Sequence, residues 1–163
     1  MSLCEHTTLA SDWVLAAVAV SLGIGLFRAA PGERRQARRL WAAAFLAGAV
    51  AALAGGAAHG FAASLSLFAH GVLWKTVLVG TGLAGGLILA GTVLATLGGS
   101  WRAGLLVGAA GQLGLYLALV AGSNDVRLAV WNGAITIVAL LGIVLATASH
   151  DPRRLAWILL ALG

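Results

Sequence analysis

Polar residues along this chain gather in short clusters, and between the clusters run continuous apolar stretches of about twenty residues. Buried strands of a soluble fold are only about 4 to 8 residues long, so runs of this length predict helices. Five segments have the length and apolarity of transmembrane helices: 10–30, 40–63, 71–97, 103–122 and 126–148. A sixth begins at 155, and "LAWILLALG" (155–163) gives roughly 13 Å of helix where about 30 Å is needed. Either it is a half-span covered by a partner, or the native chain continues into a fuller sixth helix and a seventh, which is the preferred reading. Lipid leaves an open spanning backbone no structure but helix. The expected fold is an all-α integral membrane helical bundle, one domain over 1–163, with six spans and a short last one.

The polar clusters read as connections: "PGERRQARR" after the first span, "GGSWR" after the third, "GSNDVR" after the fourth and "SHDPRR" after the fifth. They are short, so neighbouring helices should be antiparallel and adjacent. Arg28, Arg34, Arg35, Arg38, Arg39, Arg102, Arg153 and Arg154 fall on one side, against only Arg127 and Lys75 on the other. The positive-inside rule makes the arginine-rich side cytoplasmic and places the N-terminus outside. The expected location is the cell membrane, with several passes. "MSLCEHTTLASDW" lacks the basic start of a signal peptide, so the first helix is expected to remain in the mature protein.

Composition agrees with spans: 61% of residues are hydrophobic, 9% are charged and the mean hydropathy is +1.00. The net charge of +5 sits in loops that report topology, so nucleic acid is not an expected partner. One cysteine, Cys4, excludes an internal disulfide. Gly56 and Gly60, Gly82 and Gly86, and Gly104 and Gly108 repeat at the small-x3-small spacing that lets helices approach closely. None follows a strand or ends in the Gly-Lys-Ser/Thr of a phosphate loop.

The orientation gives each polar residue a depth. Asp12 opens the first helix, His59 lies one turn below the outer end of the second, and His70 and Lys75 sit in the first turns of the third. Asn124, Asp125 and Arg127 form the outer loop before the fifth span, with Asn132 a turn or two inside it; Gln112 and Tyr116 lie on the fourth. Ionisable groups inside spans are costly and usually find partners and a use, so this grouping predicts a polar pocket open to the outer side. Each residue also has a plain structural reading. His59 suits helix packing, His70 solvation at the interface, Lys75 snorkelling beside an interfacial Trp74, Asp12 an N-cap, and "SNDVR" a turn capping the fifth helix. "HDPRR" reads most simply as a loop.

A metal is the sharpest chemistry for histidines at this depth, since zinc takes three protein ligands and activates water at its fourth position. The sequence offers His59 as ligand, with His70 and Asp12 as further candidates, but no His-Glu-x-x-His and no cysteine pair. Ser64 and Ser66 near His59 lack a G-x-S-x-G turn.

Asp12 at the first span, "RRLWAAAFLAGAVAALAGGAAHGF" across the second, "LWK" in the third and "SNDVRLAVWN" entering the fifth resemble an uncharacterised family of bacterial multi-span membrane proteins. The resemblance implies a final helix rich in histidine and asparagine. More distantly the pattern resembles the alkaline ceramidase and adiponectin-receptor superfamily of seven-helix proteins. There a zinc is held by one histidine of the second helix and two of the seventh, and lipid amides are hydrolysed. His59 matches the second-helix zinc histidine, and "CEH" is loosely similar to the Cys-Glu start of ceramidases. The sequence departs where Gly55 and His70 replace that superfamily's serine and aspartate, so only His59 carries over.

Two function classes follow. One is a metal-dependent intramembrane hydrolase of a lipid-like amide or ester. In it His59 is the zinc ligand, His70 or Asp12 a further ligand or general base, and Lys75 an electrostatic stabiliser or headgroup contact. The other is a non-catalytic multi-span protein, a small-solute transporter or an accessory subunit. The expected partners are the lipid bilayer, a lipid substrate, and a second copy or a membrane subunit.

Overall fold

The structure is a computed structural model that describes residues 3–29, 32 and 34–148. The sixth apolar segment and the "HDPRR" stretch lie outside the described residues. Five helices make up the described fold: α1 (Leu3–Arg28), α2 (Arg35–Gly60), α3 (Leu67–Thr96), α4 (Gly99–Gly122) and α5 (Val126–Ala148). All five are long and apolar enough to cross a membrane.

The helices overshoot the apolar runs where polar residues sustain the backbone. α1 begins at Leu3, seven residues ahead of its expected start, with Ser11 Oγ donating to the Thr8 carbonyl at 2.9 Å. Asp12 is therefore not an N-cap but lies inside the helix, in its third turn. α2 takes Arg35, Arg38 and Arg39 into its first two turns and stops at Gly60 rather than 63, where Phe61–Ser64 turn back. α3 starts at Leu67 because Ser66 is its N-cap, accepting a hydrogen bond from the Ala69 amide at 3.2 Å. α5 starts as the sequence predicts: Asp125 Oδ1 accepts from the Arg127 amide at 2.9 Å, and Ser123 Oγ from the Asp125 amide at 3.1 Å.

Among the described residues α1 packs on α2 alone, α2 also packs on α3, and α3 carries both α4 and α5. Small residues set this order. Along α1–α2, Ala16 and Ala19 meet Ala49, and a methyl added at Gly60 would strike Leu9 at 2.8 Å. Along α2–α3, methyls at Gly80 and Gly91 would collide with Ala51 and with the Trp41 indole. Along α3–α4, Gly82 and Gly86 accept Tyr116 and Leu113. Two of the three small-x3-small pairs thus work as close-approach sites. Gly104 and Gly108 have nothing within 4 Å of their Cβ positions.

The chain ends of the helices define two ends of the bundle. One holds Arg28, Arg34, Arg35, Arg38, Arg39 and Arg102; at the other, Leu9 reaches Gly60 and Trp74 Nε1 donates to the Asn124 carbonyl at 3.1 Å.

Candidate functional site: an aspartate at the arginine-poor end

The named polar residues separate into three groups, two at the arginine-poor end and one at mid-depth. The first is built by α1, α2 and α3. Asp12 is half-buried, and it lies over glycines of α2: a Cβ at Gly55 would sit 3.6 Å from Asp12 Oδ2 and 3.6 Å from Val77 Cγ2 of α3. A Cβ at Gly56 would sit 3.1 Å from Asp12 Cβ and 2.8 Å from the Trp13 ring, so only glycine lets α1 come this close. His59 follows Gly55 by four residues and Gly56 by three. It therefore shares their face one turn nearer the helix end, with about 5–6 Å between Cβ positions. Among the described residues the Asp12 carboxylate has no hydrogen bond and no ion pair.

Trp74 joins the two histidines. The His59 ring meets the indole at 86° with centroids 6.0 Å apart, and the His70 ring lies nearly parallel to it, at 12° and 6.4 Å. Both histidines are exposed. His59, Trp74 and His70 thus form one ring cluster at the ends of α2 and α3, and Asp12 lies over Gly55 and Gly56 on the same helix α2.

Lys75 belongs to a second group. Its Nζ donates to the carbonyl oxygens of Val120 and, at 2.9 Å, of Ser123. These carbonyls close the last turn of α4, where acceptors are left without intrahelical donors. A cation there also favours the negative end of the helix dipole. The ammonium is neither snorkelling freely nor aimed at Asp12. Its stem instead helps line an apolar groove of about 470 Å³ between α2 and α3, with Ala47, Val50, Val79 and Leu83.

The third group lies across α3 from α1. Gln112 Nε2 donates to Thr136 Oγ1 at 3.0 Å and to Asn132 Oδ1 at 3.2 Å, while Tyr116 Oη donates to the Leu78 carbonyl at 2.7 Å. Asn132 and Thr136 are buried. Asn132 therefore does not join the Asp12 group, because α5 touches neither α1 nor α2. Sequence reading gave depth along each helix but not azimuth, and azimuth is what divides these residues.

The serines near His59 are occupied locally: Ser64 Oγ donates to the Phe61 carbonyl at 3.0 Å and Ser66 caps α3. A catalytic zinc needs three protein ligands. Among the described residues no three His, Cys, Asp or Glu side chains are grouped to hold a metal ion.

A model described as a family of unknown function, DUF6962, matches residues 7–163. The chain belongs to this family. The match to DUF6962 takes in α1 from Thr7 and all four later helices. No curated protein and no solved structure matches the chain, so the comparisons provide no link to the ceramidase and adiponectin-receptor superfamily.

Proposed function

We propose that the protein is a non-catalytic multi-pass protein of the cell membrane, N-terminus outside and arginine end in the cytoplasm, that binds a small cationic solute at Asp12. The observation that carries this reading is the Asp12 carboxylate: half-buried inside a long apolar helix, set over Gly55 and Gly56, and without a partner among the described residues. Ionisable groups inside spanning helices are costly and usually find a partner, and a bound cation is such a partner for Asp12. Trp13 beside the carboxylate and Trp74 near His59 offer aromatic faces of the kind that hold organic ammonium groups. Exposed large apolar side chains on every helix, such as Val14, Leu53, Phe68, Val107 and Val138, support a lipid-facing perimeter. The arginine bias supports the orientation.

The lipid-hydrolase reading has weaker support. Two of the Lys75 donors are committed to α4, and His59 lacks the two further ligands that a zinc site requires among the described residues. A zinc hydrolase would purify with near-stoichiometric metal that is lost in His59→Ala.

The test is titration of the purified full chain in lipid nanodiscs with tetramethylammonium, sodium or potassium at constant ionic strength, read by tryptophan fluorescence. The expected result is a saturable response to one of these cations, weakened at least tenfold in Asp12→Asn with unchanged thermal unfolding. The absence of any saturable response, or equal affinity in the variant, overturns the proposal.

A further inference from the structure

We propose that the cleft between the arginine ends of α1 and α2 binds the phosphodiester headgroup of an anionic phospholipid. Arg35, Arg38 and Arg39 line one wall of this cleft of about 270 Å³, and Leu26, Phe27 and Ala29 of the α1 end line the other. Positions 35, 38 and 39 stand three and four residues apart, so their stems rise from one face of α2. The stretch from residue 28 to 39 holds five arginines and a single acid, Glu33. Neither the Arg35 nor the Arg39 side chain makes an ion pair or hydrogen bond among the described residues.

Like charges are held together here at the rim of an apolar helix pair, and an anion relieves their repulsion. The guanidinium fork matches two phosphate oxygens at once, which an ammonium does not. The opposite wall identifies the source of the phosphate. Phe27, which lines the cleft, is 60% exposed, and Ile24 beside it one turn back along α1 is exposed as well. A free phosphate gains nothing from such a wall, whereas a phospholipid lays its glycerol and first acyl carbons against it. Basic pockets between spanning helices at the cytoplasmic face are a recurring way of holding anionic headgroups. At the α3–α4 connection Arg102 is the only basic residue, so the same chemistry is not repeated there.

The experiment uses native mass spectrometry of the full chain in detergent, with added phosphatidylglycerol, phosphatidylcholine or inorganic phosphate. The wild type is expected to retain one phosphatidylglycerol per chain and to bind phosphatidylcholine at least tenfold more weakly. The double variant Arg35→Gln/Arg39→Gln is expected to lose at least tenfold in phosphatidylglycerol affinity, and Arg102→Gln to lose none. Arg35→Lys/Arg39→Lys keeps the charge and serves as a folded control, expected to bind severalfold more weakly than wild type. Undiminished lipid retention by the glutamine variant overturns the proposal. Tighter binding of inorganic phosphate than of phosphatidylglycerol also overturns it, because the cleft would then be a free-anion site.

Discussion

Replacing Gly82 by alanine tests the α3–α4 contact with a single methyl group. Its Cβ would fall closer to Cδ1 and Cε1 of Tyr116 than van der Waals radii permit, and 3.2 Å from Cζ. The ring has little freedom to retreat: Tyr116 is 4% exposed, packs with Leu78 and Val120, and is tethered through its hydroxyl to the Leu78 carbonyl at 2.7 Å. Overpacking of this kind costs about 1–3 kcal/mol. Losing the tether adds about 1 kcal/mol. The better helix propensity of alanine returns about 1 kcal/mol. The net expectation is a loss of about 1–3 kcal/mol. Gly108→Ala makes the same chemical change where nothing lies within 4 Å, so it should be neutral or stabilise by up to about 1 kcal/mol. Reversible unfolding in mixed micelles with increasing sodium dodecyl sulfate, followed by circular dichroism, compares the two. Adding Tyr116→Ala to Gly82→Ala should remove most of the Gly82→Ala penalty, because the clash and the tether vanish together. Equal stability of the Gly82→Ala and Gly108→Ala variants would refute the packing argument.

Two further substitutions separate structural from solute-binding roles. Lys75→Met retains most of the stem but removes the bonds to Val120 and Ser123. It should destabilise the fold by about 1.5–3 kcal/mol while leaving cation affinity unchanged in the fluorescence titration. A tenfold loss of affinity at full stability would instead put Lys75 in the site. Gln112→Leu breaks the bridge between α4 and α5 at Asn132 and Thr136, and interhelical bonds of this type are worth about 0.6–1.7 kcal/mol. Hydrogen exchange of α5 amides should accelerate in this variant and those of α1 should not; acceleration in both helices would contradict the serial packing order.

The helices were legible in the sequence because a run of apolar residues long enough to span leaves few alternatives, and because Asn and Asp before α5 are the chemistry of a turn. Helix starts were less so. Polar residues such as Thr7 and Thr8 can continue a helix that apolarity alone would begin later, which is why Asp12 proved to be interior. The signal for α3 was present and missed: Ser66 directly before "LFAHGVLWK" is an N-cap preceding an apolar run. For the site, sequence depth placed Asp12, His59 and His70 at the same end; in the structure the two histidines meet Trp74, and Asp12 lies over Gly55 and Gly56. It could not show that Lys75 serves α4, because the carbonyls it meets are 45 and 48 residues away. Nor could it separate Asn132 from Asp12. A continuous apolar helix offers no polar face by which to orient it, and glycine spacing reports a close approach without naming the partner. The pairs at Gly56 and Gly82 illustrate this, since they receive Trp13 of α1 and Tyr116 of α4.

The measurement closest to the central claim is chemical labelling of Asp12 by a hydrophobic carbodiimide in the membrane-embedded full chain, mapped by peptide mass spectrometry. The chain has only five acidic residues, so each can be followed separately. An accessible, unpartnered carboxylate that binds a cation should be labelled at Asp12, and the cation that saturates the fluorescence response should slow that labelling at least severalfold. An Asp12 that stays unlabelled while Asp125 reacts, or one labelled at the same rate with and without the cation, would contradict the account.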